Sequence, residues 1–401
     1  AKLRQKSPEK IIYSFYSPEI EFKDIGIKNI IHRNNFHCRS LIINSPELNL
    51  TGEEIFQTDS VQNVENVFRE LRPVFKKHLK QIHIGKIELN NAQYGIIQSI
   101  GDSTQISKAD KISVDVFNFR TDSSLIYNEK KFFRTDDVII GMNEFRYAMG
   151  DSLHMVSIDT LEYSLKTSEI QAAGFRLTGL RKESKKNLYK VYVPKFYMKS
   201  KSITSFNFSD SLDIQFLEFA RPQIKFHQKK NPGTIKIEDI NDFDLYSLIQ
   251  KDLVKIEIDT FLLTEADMEI YRQPDKEKYQ HKFSSLNILL HGFLLDSTSA
   301  KNQDKLLHAN DLEMEVSGYH LRLEDNQHDF RADSLFISTF TKSLGAKKIK
   351  ILPAGKETIQ SRTVVNITGD ALGFKDVNLK KLYHTRTLPA SGIEILNPEV
   401  I

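Results

Sequence analysis

The chain of 401 residues is 40% apolar, enough to bury core on the scale of two or three ordinary domains. Its 56 basic residues against 53 acidic ones leave a net charge of +3, which is not the lopsided basic surface of a nucleic-acid binder. The single cysteine, Cys38, excludes an intramolecular disulfide framework and argues against a thiolate zinc site, and no apolar run reaches the roughly 18 residues of a membrane-spanning helix.

The chain opens AKLRQKSPEK, with neither a methionine nor a signal-peptide pattern, so a processed or truncated start is expected. The string FKDIGIKNI at 22–30 reads as a strand whose apolar positions are Phe22, Ile27 and Ile30. It returns at 374–382 as FKDVNLKKL, at a spacing of 352, which is twice 176, with MKSKSITSF at 198–206 as the degenerate middle copy. HRNNFHC at 32–38 gathers His32, His37 and Cys38, the nearest approach to a metal cluster. Its next copy, around DSLD at 210–213, has neither histidine nor cysteine, so no metal and no other cofactor is expected. INSPELNL, FARPQIKF and ILNPEVI then align on Pro46, Pro222 and Pro398 at the same spacing of 176.

A helix follows. In NVENVFRELRPVFKKHL the residues Val67, Phe68, Leu71, Val74, Phe75 and Leu79 share one side at helical spacing, and Pro73 shortens or kinks the segment. The counterpart NDFDLYSLIQKDL does the same with Phe243, Leu245, Leu248, Ile249 and Leu253, with Asp242 or Asp244 available as a cap. The acidic run EDINDFD at 238–244 lacks the central glycine and terminal glutamate of a calcium loop and is read as that helix start.

After each helix nearly everything alternates with period two. Strands are expected at 82–90, 94–100, 111–119, 137–149, 154–165, 170–180 and 188–198, with ELNNAQ, GDST, MGDS and SFNFSDSLD as short turns that suit antiparallel neighbours. A shift of 174 lays 78–97 on 252–271 without a gap: Leu79, Ile82, Ile84, Leu89, Ala92 and Ile96 meet identical residues at Leu253, Ile256, Ile258, Leu263, Ala266 and Ile270. The expected organisation is the end of one unit at 1–60, a full unit at 61–234 and a second at 235–401. No linker rich in proline, glycine and serine separates them, which favours a continuous sheet growing strand by strand over a string of sandwiches.

Catalytic patterns are missing: there is no P-loop, nucleophile elbow, dinucleotide fingerprint or HExxH. GDS at 150–152 sits in a turn where serine is commonplace, and no enzyme is expected. Of His291, His308, His320 and His328, only His328 meets another histidine, His154, at the 174 shift, and surface positions are expected for all of them.

The pattern L-x-x-I-x-I-x-x-[IF]-x-L-x-x-A-x-[YM]-x-I after a short helix, the F-K-D-x-x-[IL] string and the [IL]-x-x-P-[EQ]-[VIL] strand together resemble AsmA/TamB-like envelope proteins, most closely the Bacteroidetes-type versions. The resemblance implies a mainly β, elongated and curved antiparallel sheet of repeating β-groove units, with one short helix per repeat of about 175 residues. It implies a non-catalytic, periplasmic groove that binds phospholipid acyl chains and serves lipid transport and outer-membrane homeostasis. The family is anchored in the inner membrane by an N-terminal helix, not seen in this chain, and other envelope proteins are candidate partners. On that reading the groove candidates are Phe22, Ile27, Ile82, Ile84, Leu89, Tyr94, Ile96, Ile256, Ile258, Leu263, Met268, Ile270, Phe374 and Leu379. The same apolar residues equally suit the filled core of tandem β-sandwiches in a structural or adhesive protein, and alternation does not say which strand face looks inward.

Overall fold

Runs of β-branched and aromatic residues alternating with polar ones dictate strands along most of the chain. The computed structural model describes residues 12–53, 79–100, 103–122, 125, 133–149, 153–179, 188–201, 211–227, 245–250, 253–271, 281–298, 305–323, 328–353, 365–385 and 387–400. The fold is mainly β: twenty strands belong to a mixed sheet, against three short helices among the described residues.

Two compact units divide the chain. The first comprises residues 1–148, 156–173 and 200–209. It holds β1 (Ile12–Tyr16), β2 (Glu19–Lys23), α1 (Ile27–Arg33), β3 (Asn35–Asn44), β4 (Glu47–Glu53), β5 (Gln81–Ile100), β6 (Ser103–Asp122), β7 (Asp137–Ala148) and most of β8 (His154–Ser164). Strand β9 (Glu169–Gly179) is shared out between the two. The second unit, 149–155, 174–199 and 210–401, holds β10 (Leu188–Ser200), β11 (Ser211–Ala220), β12 (Gln223–His227), α2 (Tyr246–Ile249), β13 (Lys255–Tyr271), β14 (His281–Leu295), β15 (Asp311–Arg322), β16 (His328–Ser338), β17 (Ser343–Pro353), β18 (Ile367–Lys375), α3 (Leu379–Thr385), β19 (Gly392–Leu396) and β20 (Glu399–Val400).

The repeat read from the letters is a repeat of the architecture. Strands β7, β8 and β9 start at Asp137, His154 and Glu169, and β15, β16 and β17 start at Asp311, His328 and Ser343, a shift of 174 that their last residues share. A shift of 176 carries β3 onto β11, and the same step taken twice links the starts of β4, β12 and β20 at Glu47, Gln223 and Glu399. Two such steps also carry α1 onto α3, Ile27 onto Leu379 and Arg33 onto Thr385. In the second unit β13 to β18 form an antiparallel meander.

Three expectations are corrected. The sheet is mixed, because β3 and β4 pair in parallel with β5, and β11 and β12 pair in parallel with β13. The segments 54–80 and 228–254 are long enough for these crossovers, which a parallel pair requires. ELNNAQ is not a turn: β5 runs through it, skipping register between Leu89 and Ala92 as β13 does between Leu263 and Ala266. FKDIGIKNI and FKDVNLKKL are not strands but strand-to-helix corners: β2 and β18 end at Lys23 and Lys375, Asp24 and Asp376 turn left-handed, and α1 and α3 begin at Ile27 and Leu379. Helices therefore occur at a second place in the repeat. Within the helix expected at 241–253, the described residues form α2 at Tyr246–Ile249, with Leu245 at its start and no side-chain cap. Asp242, Asp244 and the helix expected before Leu79 lie outside the described residues.

Backbone geometry repeats more faithfully than side chains. Left-handed residues pair at the 174 spacing: Asn91 with Glu265, Lys111 with Ser285, Asn118 with Gly292, Glu144 with Gly318 and Gly174 with Lys348. At the 176 spacing Ser45, Arg221 and Asn397 match, each preceding a proline. At these kinks β3 bends into β4, and β11 into β12, without losing register on the parallel neighbour. Ser45 donates its N–H to the Asn90 carbonyl at 2.8 Å and Gln93 to the Pro46 carbonyl at 2.8 Å. Arg221 donates to Thr264 at 2.8 Å and Asp267 to Pro222 at 2.9 Å. Polar side chains follow this crease across the strands: Lys111 Nζ reaches Glu144 at 2.7 Å, Lys348 Nζ reaches Asp370 at 2.6 Å, and Asn397 Nδ2 reaches the other Asp370 oxygen at 2.7 Å.

A residue with a Cβ in left-handed backbone costs about 1 kcal/mol or somewhat more. A Cβ built at Gly318, whose φ is +67°, meets nothing within 4 Å, and the same is true at Gly373, whose φ is not left-handed. Gly318→Ala is therefore expected to lower stability by about 1 kcal/mol through backbone strain alone, while Gly373→Ala leaves it unchanged or slightly raised. Denaturant unfolding of the two variants side by side checks this.

Candidate functional site

Left-handed residues inside strands do something specific to the alternation. Ordinarily residues i and i+2 share a face. Here Leu263 and Ala266, Phe283 and Leu286, and Val316 and Tyr319 are three apart, each pair straddling a left-handed residue, yet all six belong to one apolar cluster. Leu290 and Phe293 straddle Gly292 in a second cluster, and Ala346 and Ile349 straddle Lys348 in a third. The crease thus keeps apolar side chains on one side of each strand past the point where strict alternation would reverse them.

In the second unit this makes a continuous apolar face. Phe261, Ile288 and Met314 join the clusters around Leu263 and Leu290, Met268 and Phe283 join the former to Tyr189, Phe226 and Ile270, and Leu335 joins it to Ala332 and Ala346. Every member of these four clusters comes from strands that neighbour one another in the sheet, apart from Leu245 and the 305–309 turn. Among the described residues no facing sheet contributes to them. The inner row, Leu263, Ala266, Leu286 and Val316, is buried, while Ile224, Phe261, Met268, Phe283, Ile288, Met314 and Tyr319 remain only partly covered. Burial pushes the Tyr319 phenol up to about 12, so it stays a neutral, polar-tipped part of this surface, packed between Phe283 and Phe330.

Of the groove candidates, Ile258, Leu263 and Ile270 are buried and Ile256 and Met268 partly buried on β13. On β5, Ile84 is buried, with Ile82, Leu89 and Tyr94 partly so; the Ile96 side chain lies outside the described set. The pairing Cys38 opposite Ile84 is repeated as Ile214 opposite Ile258, so Cys38 fills an aliphatic position, and burial raises its thiol above the usual value. Phe22 and Ile27 are exposed, Phe374 is half-buried, and Leu379 is buried on α3. Phe283, Ile288, Met314 and Tyr319 were missed because the identities between the copies cluster on β5 and β13. The alternation of β14 and β15 was their available signal.

The histidines resolve differently from expectation. His32 lies exposed on α1, while His37 meets His83 across the parallel pair, Nδ1 to Nδ1 at 3.1 Å. The next copy of that pair is Asp213 opposite Glu257. No group of three metal-ligating side chains occurs among the described residues. His291 is exposed, whereas His154 and His328 are buried, which corrects the surface position expected for His328. Each ring accepts a backbone N–H at Nε2, from Tyr189 at 3.2 Å and from Val365 at 3.1 Å, and these two donors are themselves related by the 176 shift. Each histidine carbonyl also accepts an N–H, from Met149 and from Leu323, both at 2.9 Å. This is a repeated structural clamp. GDS at 150–152 and the acidic run at 238–244 lie outside the described residues.

No family model matches this chain, and no curated protein does either.

Two expectations follow for these histidines. Removing the acceptor strands a backbone donor at the strand it anchors, so His154→Ala and His328→Ala should each cost about 2 kcal/mol in denaturant unfolding. Burial first, then the positive neighbours His37 and Arg120, hold His83 below its usual 6.5; burial, then Lys190 and Lys225, does the same to His227. The unfolded chain then takes up these protons before the folded one, so stability falls as pH drops through 6.5 and is recovered above it. The urea midpoint should decline between roughly pH 7.5 and pH 5.5, and the double variant His83→Gln, His227→Gln should flatten that decline.

Proposed function

We propose that this chain is a non-catalytic lipid-binding protein whose apolar sheet face holds acyl chains, as in a β-groove of the AsmA/TamB-like kind. The observation that carries the reading is the continuous apolar face whose strand members come from neighbouring strands, joined only by Leu245 and the 305–309 turn, with no facing sheet among the described residues. A sandwich core would mix residues from two facing sheets. Partly covered Phe261, Phe283, Ile288 and Met314 offer surface to a guest without a dedicated polar pocket. Each methylene removed from water there contributes about 0.8 kcal/mol, so an acyl chain binds by length and shape. The rest of the proposal rests on the resemblance of the short motifs to AsmA/TamB-like envelope proteins, which implies phospholipid as guest, the periplasm as compartment, the inner membrane as attachment point and other envelope proteins as partners. No helix among the described residues is long and apolar enough to cross a membrane.

Native mass spectrometry and lipid extraction of the purified chain test the proposal. Phospholipid is expected to co-purify, and Ile288→Glu or Met314→Glu, placed in the partly covered row, should reduce its occupancy several-fold while the strand content seen by circular dichroism persists. Lipid-free protein whose apolar dyes and fatty acids also fail to bind would sink the idea. So would occupancy indifferent to both substitutions.

A further inference from the structure

The parallel junction of the first unit brings two imidazoles together. His37 on β3 and His83 on β5 are register partners, and their neighbours Cys38 and Ile84 are buried, so by alternation both rings stand on the opposite face. The ring centroids are 4.8 Å apart, and Nδ1 reaches Nδ1 at 3.1 Å. Two imidazole nitrogens held by one ion at about 2.0–2.1 Å stand about 2.9 Å apart at a right angle and about 3.3 Å apart at the tetrahedral angle. The observed 3.1 Å falls between these values. One Nδ1–H directed at the other nitrogen uses the same approach, so an ion takes the place of one proton and leaves the strand register as it is.

The surroundings suit neutral ligands. Burial, then the charges of His37 and Arg120, hold the His83 ring below its usual 6.5, so its charged form is scarce at neutral pH. Its Nε2 is closed off from solvent, and the Asn118 side chain favours a proton on this ring. Asn118 in turn donates from Nδ2 to the Asp136 carboxylate. A proton kept on Nε2 leaves the Nδ1 lone pair for a ligand, and outer partners of this kind are what orient ligating histidines. His37 is exposed, which gives an ion its way in, while Arg120 opposite His83 on β6 acts against a cation. In the second unit the counterpart is Asp213 opposite Glu257, and Lys255 engages Glu257 at 2.8 Å, so the feature is not repeated there.

We propose that His37 and His83 bind one divalent transition-metal ion of the imidazole-preferring class, which clips β3 to β5. Copper(II) is held ahead of nickel(II) and zinc(II), by the usual order of affinities. No third side chain completes a ligand set among the described residues, so water fills the remaining positions. Magnesium and calcium, which take oxygen ligands, do not suit the pair. β3 and β5 are separated in sequence by β4 and the crossover at 54–80, and an ion that closes so long a loop stabilises the junction. The inference stands on the histidine pair and does not rest on lipid binding.

The test titrates copper(II) into the full chain, purified without a polyhistidine tag, by calorimetry and electron paramagnetic resonance. A single tight ion is expected, with nitrogen couplings from a pair of imidazoles, and its binding should raise the urea midpoint. His37→Ala and His83→Ala should each weaken binding about tenfold or more, whereas His291→Ala, at an exposed histidine of the second unit, leaves it unchanged. Asn118→Gly keeps the left-handed backbone, as Gly292 does at the matching position, and should weaken binding about tenfold. Arg120→Gln removes a positive neighbour and should strengthen it several-fold. Absence of saturable binding, affinity indifferent to both histidine substitutions, or a spectrum of oxygen ligands alone would each overturn the proposal. A pair that serves only to hydrogen-bond β3 to β5 would lower the urea midpoint on substitution and give no response to copper, which overturns it as well.

Discussion

The structure depends on a line of left-handed residues crossing the sheet. A strand that keeps strict alternation presents one face throughout, but these strands are up to 20 residues long and carry their apolar residues in phase for only part of that length. The left-handed residue resets the phase. Leu263 and Ala266, or Ala346 and Ile349, stay on one face only because Glu265 and Lys348 accept an unfavourable backbone. The crease stacks from strand to strand because a kink in one must be matched by its hydrogen-bonded neighbour. Ser45–Pro46 therefore faces the Asn91 bulge, and Arg221–Pro222 faces the Glu265 bulge. The bulged strands bend there, and the apolar side chains of neighbours are gathered together with no second layer among the described residues.

Much of the fold was legible from letters, for identifiable reasons. Period-two runs such as KISVDVFNF and HMVSIDTLEYSL are long and leave little room for another secondary structure; β8 matches its run to within one residue, and β6 contains its run and extends beyond it at both ends. The 174 and 176 spacings were visible because apolar positions must persist where strands pack. The parallel junctions were not legible: whether β3 lies beside β5 depends on how a long crossover returns, which local pattern does not encode. The strand-to-helix corner was missed because FKDIGIKNI is too short for periodicity to choose between 2 and 3.6. The bulge in ELNNAQ looked like a turn since Asn-Asn is turn chemistry, and the same left-handed geometry serves both.

The candidate surface was half legible. Leu263, Met268 and Ile270 are legible on β13, and Ile288 and Met314 alternate in phase with their neighbours, but placing Phe283 and Tyr319 on the same face requires knowing that Ser285 and Gly318 reset the phase. The histidine clamp was hidden for a different reason. His154 and His328 matched at repeat spacing, but their partners are backbone amides at Tyr189 and Val365, and an amide leaves no mark in a sequence.

The crease also says something about descent. Its positions are held by glycine, asparagine, serine, lysine, arginine and glutamate in different copies, and no one side-chain type is required. Two copies of one unit within a single chain have accordingly drifted until little besides apolar rhythm joins them, while their dihedral angles and their bulges remain in step. Common ancestry here is written in torsion angles more durably than in letters. Relatives of this chain are better sought by where a strand turns left-handed than by which residue stands there.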